Sequence, residues 1–311
     1  MNKSYNNFIW YVGVVEDRDD PKQIGRCRVR CLGYHTSSKE LLPTDDLPWA
    51  YPMMPITSAS MNGIGGSPVG PVEGTWIFGF FRDGESAQEP MMMGTLPGIP
   101  EFAPNPNEGF NDPNGVYPKS DFIGEADTNR LTRNDMIDKT VVKTKIDDLD
   151  EMEVSTGVGS QDTLSEPQTA YSATYPFNKV METESGHIVE VDDTEGHERL
   201  HVYHKSGTFI EIHPDGSMVR KVAGKSHEVI ASDDNLHIKG ALNITVEGNS
   251  NIYTKGNVNM KTDGNVVHDV TNGNYELNVG GDITLNSSGG SSTVKMTPSS
   301  IKLNSGTIQL N

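Results

Sequence analysis

Over the last hundred residues, apolar and polar positions alternate between glycines that return every eighth residue. The beat falls on Gly216, Gly224, Ser232, Gly240, Gly248, Gly256 and Gly264, slips by one residue, and resumes at Gly273, Gly281 and Gly289. In Gly240-Ala-Leu-Asn-Ile-Thr-Val-Glu-Gly248, the side chains of Leu242, Ile244 and Val246 share one face and those of Asn243, Thr245 and Glu247 the other. That is the period of a half-buried strand. Glycine suits a sharp corner between such strands, where a side chain would clash. One repeat is therefore a short strand plus a corner, and no repeat can bury its apolar face alone.

The approach to this tract alternates in the same way. Val189/Val191, Leu200/Val202 and Ile210/Ile212 mark short strands separated by Asp-Asp, Ser-Gly and Asp-Gly turns. Near the other end, Phe8 to Val15, Gly25 to Leu32, Thr75 to Phe81 and Met91 to Gly94 read as strands. A proline-dense connection runs from Leu42 to Pro55, and Gly63-Ile-Gly-Gly66 follows it. About five short strands with long Pro/Gly-rich links predict a small Greek-key barrel of the oligonucleotide/oligosaccharide-binding (OB) type. Pro100 to Pro118 has no periodicity and reads as extended linker. Between residues 127 and 150 a helix with Asn134 as N-cap and Met136, Ile137, Val141 and Ile146 on one side competes with a strand through Thr140-Val-Val142.

An eight-residue turn is short for a solenoid that must enclose its own core. Three chains wound about one axis share the interior, and each buried Val, Ile or Leu then contributes roughly 1.5–3 kcal/mol in every chain. No proline occurs between Pro214 and Pro298, although the chain has 18. That fits continuous strand pairing, because proline cannot donate to a ladder.

The octad, with Glu184-Ser-Gly-His-Ile-Val-Glu-Val-Asp-Asp-Thr194 and His204 to Gly216 leading into it, resembles the C-terminal spike of contractile-tail injection machines. That family includes the central baseplate spike of contractile-tailed phages and the valine-glycine repeat proteins of type VI secretion. The N-terminal stretch is similar to the family's OB domain. The resemblance there rests on Gly13-Val-Val15, Asp20-Pro21, Gly25-Arg26, Trp49, Pro68, Pro71 and the segment from Glu89-Pro90 to Gly94. The resemblance implies an all-β chain: an OB-fold barrel over 1–104, a connector over 105–175 and an intertwined trimeric triple-stranded β-helix over 176–311. It further implies a homotrimer that docks a separate trimeric hub protein at its barrel end. Some phage spikes carry a lysozyme between barrel and β-helix. Here about 70 connector residues, mostly linker-like, are too few for one. Carboxylates such as Glu125, Asp135 and Asp148 have no aromatic cleft beside them, so no enzyme activity is expected.

Composition narrows the chemistry. Hydrophobic content is 34% and aromatic content 7%, low for a large monomeric core, so association is expected to supply stability. No apolar run reaches membrane-spanning length, and the first seven residues are unlike a signal peptide, so a soluble product made in a bacterial cytoplasm is expected. A net charge of −18 and a pI near 4.8 argue against a nucleic-acid partner. Cys27 and Cys31 lie about 13 Å apart along an extended strand, too far for a disulfide, and read as core thiols. Met91 to Met93 suits either core or a partner surface. His197, His201 and His204 do not converge on a straight strand, so no metal or cofactor is expected. Gly63-Ile-Gly-Gly66 lacks the lysine of a phosphate loop.

The expected role is a lysozyme-less central spike in the virion tail baseplate, a rod driven through the host envelope with transient contact to the outer membrane. Ile301, Leu303, Ile308 and Leu310 crowd apolar groups at the end of the rod, and open strand ends invite aggregation unless covered. The family resemblance implies a separate tip protein of the proline-alanine-alanine-arginine repeat type seated there. A receptor-binding tail fibre and a type VI secretion-like spike are the alternative readings.

Overall fold

The computed structural model describes residues 9–135, 153–155 and 163–281. Gly289 and the four terminal apolar residues Ile301, Leu303, Ile308 and Leu310 lie outside them, as do Met136, Ile137, Val141, Ile146 and Asp148. Among the described residues no helix is long and apolar enough to cross a membrane. The chain divides at Asn243/Ile244 into two units.

The first five strands are β1 (Ile9–Asp17), β2 (Cys27–Cys31), β3 (Trp49–Pro52), β4 (Trp76–Phe81) and β5 (Pro90–Thr95). They close into a barrel in the order β1-β2-β3-β5-β4, with β3 and β5 parallel. Tyr11, Val15, Cys27, Val29, Cys31, Ala50, Ile77, Phe81 and Met92 fill the interior. Both thiols are free and buried, and burial pushes Cys27 up to about 12. The methionine run divides by strand alternation: Met92 joins the core and Met93 is exposed. A Cβ on Gly79 would sit 2.0 Å from the Met91 carbonyl oxygen and 2.7 Å from the Tyr11 ring. Its absence lets the Tyr11 hydroxyl donate to that carbonyl at 3.0 Å. β3 lies inside the stretch read as a proline-dense connection. Pro52 ends that strand, so its missing N–H interrupts little of the ladder.

Residues 105–118 are pinned to the barrel rather than extended. Glu16 and Arg30 form a fully buried ion pair, and the backbone N–H of Phe110 donates to Glu16 at 2.8 Å. Gly109 packs so closely on Arg30 that a Cβ would come within 2.3 Å of the guanidinium nitrogen. Asp112 accepts from the N–H groups of Asn114, Val116 and Tyr117. Such turns leave no hydrophobic period, which is why the pattern reads as linker. One turn of helix, α1 (Arg130–Arg133), follows. Its N-cap is Asn129, whose side chain accepts from Leu131 N, while Asn134 ends it in the left-handed region at φ 51°. Asparagine serves either end of a helix, and the expected N-cap proves to be the C-cap.

After a two-stranded ribbon of β6 (Glu153–Ser155) and β7 (Thr163–Ser165), a five-stranded meander forms. Its strands are β8 (Asn178–Glu182), β9 (Ile188–Asp192), β10 (Arg199–Tyr203), β11 (Phe209–Ile212) and β12 (Met218–Lys221). All neighbours in it pair antiparallel. Beyond it, residues 223–281 are exposed throughout and carry no strand pairing within the chain. Bends recur at 223–224, 231–232, 239–240, 247–248, 255–256 and 263–264, the same beat as the glycines. Gly216 has φ 82°. An added Cβ at Gly224, Gly240, Gly248, Gly256 or Gly264 would meet nothing within 4 Å. Gly281 is equally open, and at Gly273 a Cβ would touch only Val270 at an ordinary 3.6 Å. Within one chain, crowding does not explain these glycines.

Candidate functional site

The meander has two unlike faces, and the charged one is buried. Ile188, Glu190, Asp192, Arg199, His201, Tyr203, Phe209 and Glu211 point inward. Residues 169–171 and Leu131 cover them, with Tyr171 and Asn178 both donating to the Leu131 carbonyl. Arg199 lies 2.7 Å from Glu190 and 3.4 Å from Glu211, with its guanidinium carbon 5.0 Å from the centre of the Tyr171 ring. His201 Nδ1 is 2.8 Å from Glu190 and His213 Nε2 is 3.2 Å from Glu211. Glu211 also accepts from the Thr169 hydroxyl and the Ala170 N–H. Burial works to raise the Glu190 carboxyl, but His201, Arg199 and Asn178 together hold it below the usual range.

The opposite face is apolar and open. Met181, Val189, Val191, Leu200, Val202, Ile210 and Met218 are exposed, Leu200 by 49% and Val202 by 55%. They adjoin across strands, since Val202 stands opposite both Val189 and Ile210 and Leu200 opposite Val191. A contiguous apolar face of this kind marks an association surface. The hydrophobic alternation locates the strands. Which row the connector covers is decided by the partners that residues 169–178 bring to the charged row.

Arg26, which precedes β2, and Arg28 and Arg30 within it are all engaged within the chain. Arg26 donates twice to Asp20, at 3.0 and 2.6 Å, and lies over the rings of Trp49 and Tyr51. Arg28 pairs with Asp17, donates to the carbonyls of Asp45 and Leu47, and covers Trp49 as well. Arg30 is enclosed with Glu16. Cys27, Val29 and Cys31 face the barrel interior, and on the opposite face Arg26 and Arg30 are buried against the carboxylates of Asp20 and Glu16.

The three histidines have different surroundings. His201 is buried with Glu190, His204 caps a turn through Ser206, and His197 sits in the loop before β10. Among the described residues no group of three His, Cys, Asp or Glu is placed to hold a metal ion. Glu125 braces Arg130 and Arg133, and Asp135 pairs with Arg133, so these carboxylates serve the connector's own structure. Gly63 to Gly66 forms a tight turn rather than a helix entrance. A latch that the pattern does not disclose joins barrel to meander. Arg18 donates to both oxygens of Glu184, at 2.9 and 3.1 Å, and the Tyr117 hydroxyl donates to Glu184 at 2.6 Å.

Residues 33–172 match the family described as the Gp5 N-terminal OB domain. The chain is 46% identical over 272 residues to Protein Gp5 of Vibrio phage KVP40, covering 78% of this chain and 64% of that protein. It is 38% identical over 211 residues to the pre-baseplate central spike protein Gp5 of Enterobacteria phage T4, covering 66% of this chain and 36% of that protein. The chain thus spans less than two thirds of the length of either relative. A closed barrel, the matching OB domain and two Gp5 relatives lead to one conclusion: the chain carries a Gp5-type OB domain and is similar to the central spike proteins of phage tail baseplates.

Proposed function

We propose that this protein is a non-enzymatic, homotrimeric spike that pierces the host envelope. The observation that carries the reading is the outward apolar face of the meander, followed by an octad tract whose apolar residues are exposed over the described residues 223–281. Leu242, Ile244, Val246, Ile252 and Val258 have nothing to pack on in one chain. Two further copies supply both the missing core and the missing ladder partners of residues 223–281. The glycine corners gain a reason in the same step, because crowding absent within a chain arises between chains. Stiffness follows, since bending a rod of shared ladders strains many hydrogen bonds together.

The barrel end docks a separate trimeric hub. The terminal residues Ile301, Leu303, Ile308 and Leu310 seat a separate tip protein of the proline-alanine-alanine-arginine repeat type. The host outer membrane is met only transiently, as the rod passes. The test is direct. Sedimentation and electron microscopy of the purified full-length chain should give a trimer shaped as a slender needle with three globules at one end. A folded monomer would overturn the reading.

A further inference from the structure

Between β3 and β4 the barrel carries a loop held in one shape while showing apolar side chains to solvent. Ile56 is fully exposed, and Met61 and Ile64 are about two-thirds exposed. The tip is not slack. The N–H of Gly66 donates to the Ser58 hydroxyl at 3.0 Å, Ile64 N donates to the Met61 carbonyl at 2.8 Å, and Met61 and Ile64 form a bridge. Ser60 and Asn62 hold φ values of 46° and 52°, conformations that side-chain-bearing residues adopt at a cost. A Cβ on Gly65 would come within 2.4 Å of the Ser58 hydroxyl. From Leu47 to Val72 there is no charged residue, in a chain of net charge −18.

The same barrel carries a groove of about 860 Å³ whose apolar lining includes Pro71, Trp76, Leu96, Ile99 and Pro100. Three carboxylates stand on its walls, Glu73, Asp127 and Glu182. Each is already engaged: Glu73 with Arg18 at 3.2 Å, Asp127 with the Gly98 N–H at 2.7 Å, and Glu182 with the Asn129 amide at 2.7 Å. The groove therefore does not call for a cation. Its carboxylate-bearing walls suit an uncharged apolar loop better than further acidic groups of a chain with net charge −18.

We infer that the loop of residues 53–69 of one copy seats in this groove of the next, a knob-into-socket contact within the trimer. One chain carries both the knob and the socket on different parts of its surface, so the contact is heterologous and closes into a ring when repeated by rotation. It gives the barrels a direct hold on one another, independent of the β-helix. The inference rests on the homotrimer reading and adds to it a second, separable interface.

The test is a double variant, Ile64→Cys with Ile99→Cys, in the full-length chain, treated with a short bismaleimide. Both positions are exposed, so folding is unaffected, and the buried native thiols Cys27 and Cys31 react poorly. The double variant should give a crosslinked ladder ending at three chains on a denaturing gel, while each single variant gives none. A protein that sediments as a trimer yet yields no crosslink overturns the knob contact and leaves the homotrimer standing. A protein that sediments as a monomer overturns both.

Discussion

Glu16 and Arg30 carry more of the barrel than their sequence context suggests. Enclosed together, they hold Thr36, Leu42, Thr44 and Phe110 by hydrogen bonds. Removing one partner leaves the other charged and unpaired in the interior, which costs roughly 3–5 kcal/mol. Glu16→Gln should therefore lower the denaturant midpoint of the barrel markedly, whereas Glu40→Gln on an exposed turn should leave it unmoved. Asp20 offers a pH-dependent counterpart. The Arg26 guanidinium and three backbone N–H groups hold its carboxyl well below the usual carboxylate range. A depressed folded value means that its contribution is complete above the unfolded value of about 3.9 and fades as pH falls below it. Asp20→Asn should flatten the loss of stability between about pH 4 and pH 2, read by thermal melts across that range. None of this was legible in advance. Arg26, Arg28 and Arg30 alternate with Cys27, Val29 and Cys31 in the sequence, and only the fold shows that carboxylates from β1 and the following turn reach them.

At the scale of elements, β2 is marked by two-residue alternation, while β1, β4 and β5 are marked by short continuous apolar runs bounded by turn residues. β3 escaped because its four residues end in proline and the apolar alternation around Trp49 is too short to register. The meander was legible as strands, while the side it buries was not. Alternation shows that two faces differ. It does not show that Arg199, Glu190 and Glu211 will find partners in residues 169–178 and so go inside. The exposed row then becomes testable. Val202→Asp adds a charge to an open apolar face, so a single meander should keep its fold. In an assembly that closes on this face three such charges meet. Sedimentation should show a shift from trimer towards monomer, with the strand signature in circular dichroism retained. Retention of a salt-resistant trimer would mean that the face is not the interface.

For the whole molecule, the octad was the most legible feature and the one a single chain explains least. Among the described residues its apolar side chains stay exposed, its bends keep the eight-residue beat, and its glycines lie in open space. Two glycines separate the possible reasons. Gly216 sits in an Asp-Gly turn at φ 82°, where any L side chain is strained by roughly 1–2 kcal/mol whatever surrounds it. Gly248 has no such φ and no neighbour within 4 Å of an added Cβ. Gly216→Val should therefore destabilise the meander's last hairpin even in a fragment that stays monomeric. Gly248→Val should do nothing in such a fragment. In the proposed trimer it would place three valines at one level of a shared rod, where corners from neighbouring chains would converge. Loss of resistance to dissociation by detergent, at a temperature the parent trimer survives, is the expected result. If Gly248→Val leaves that resistance intact, the glycine beat does not reflect packing between chains.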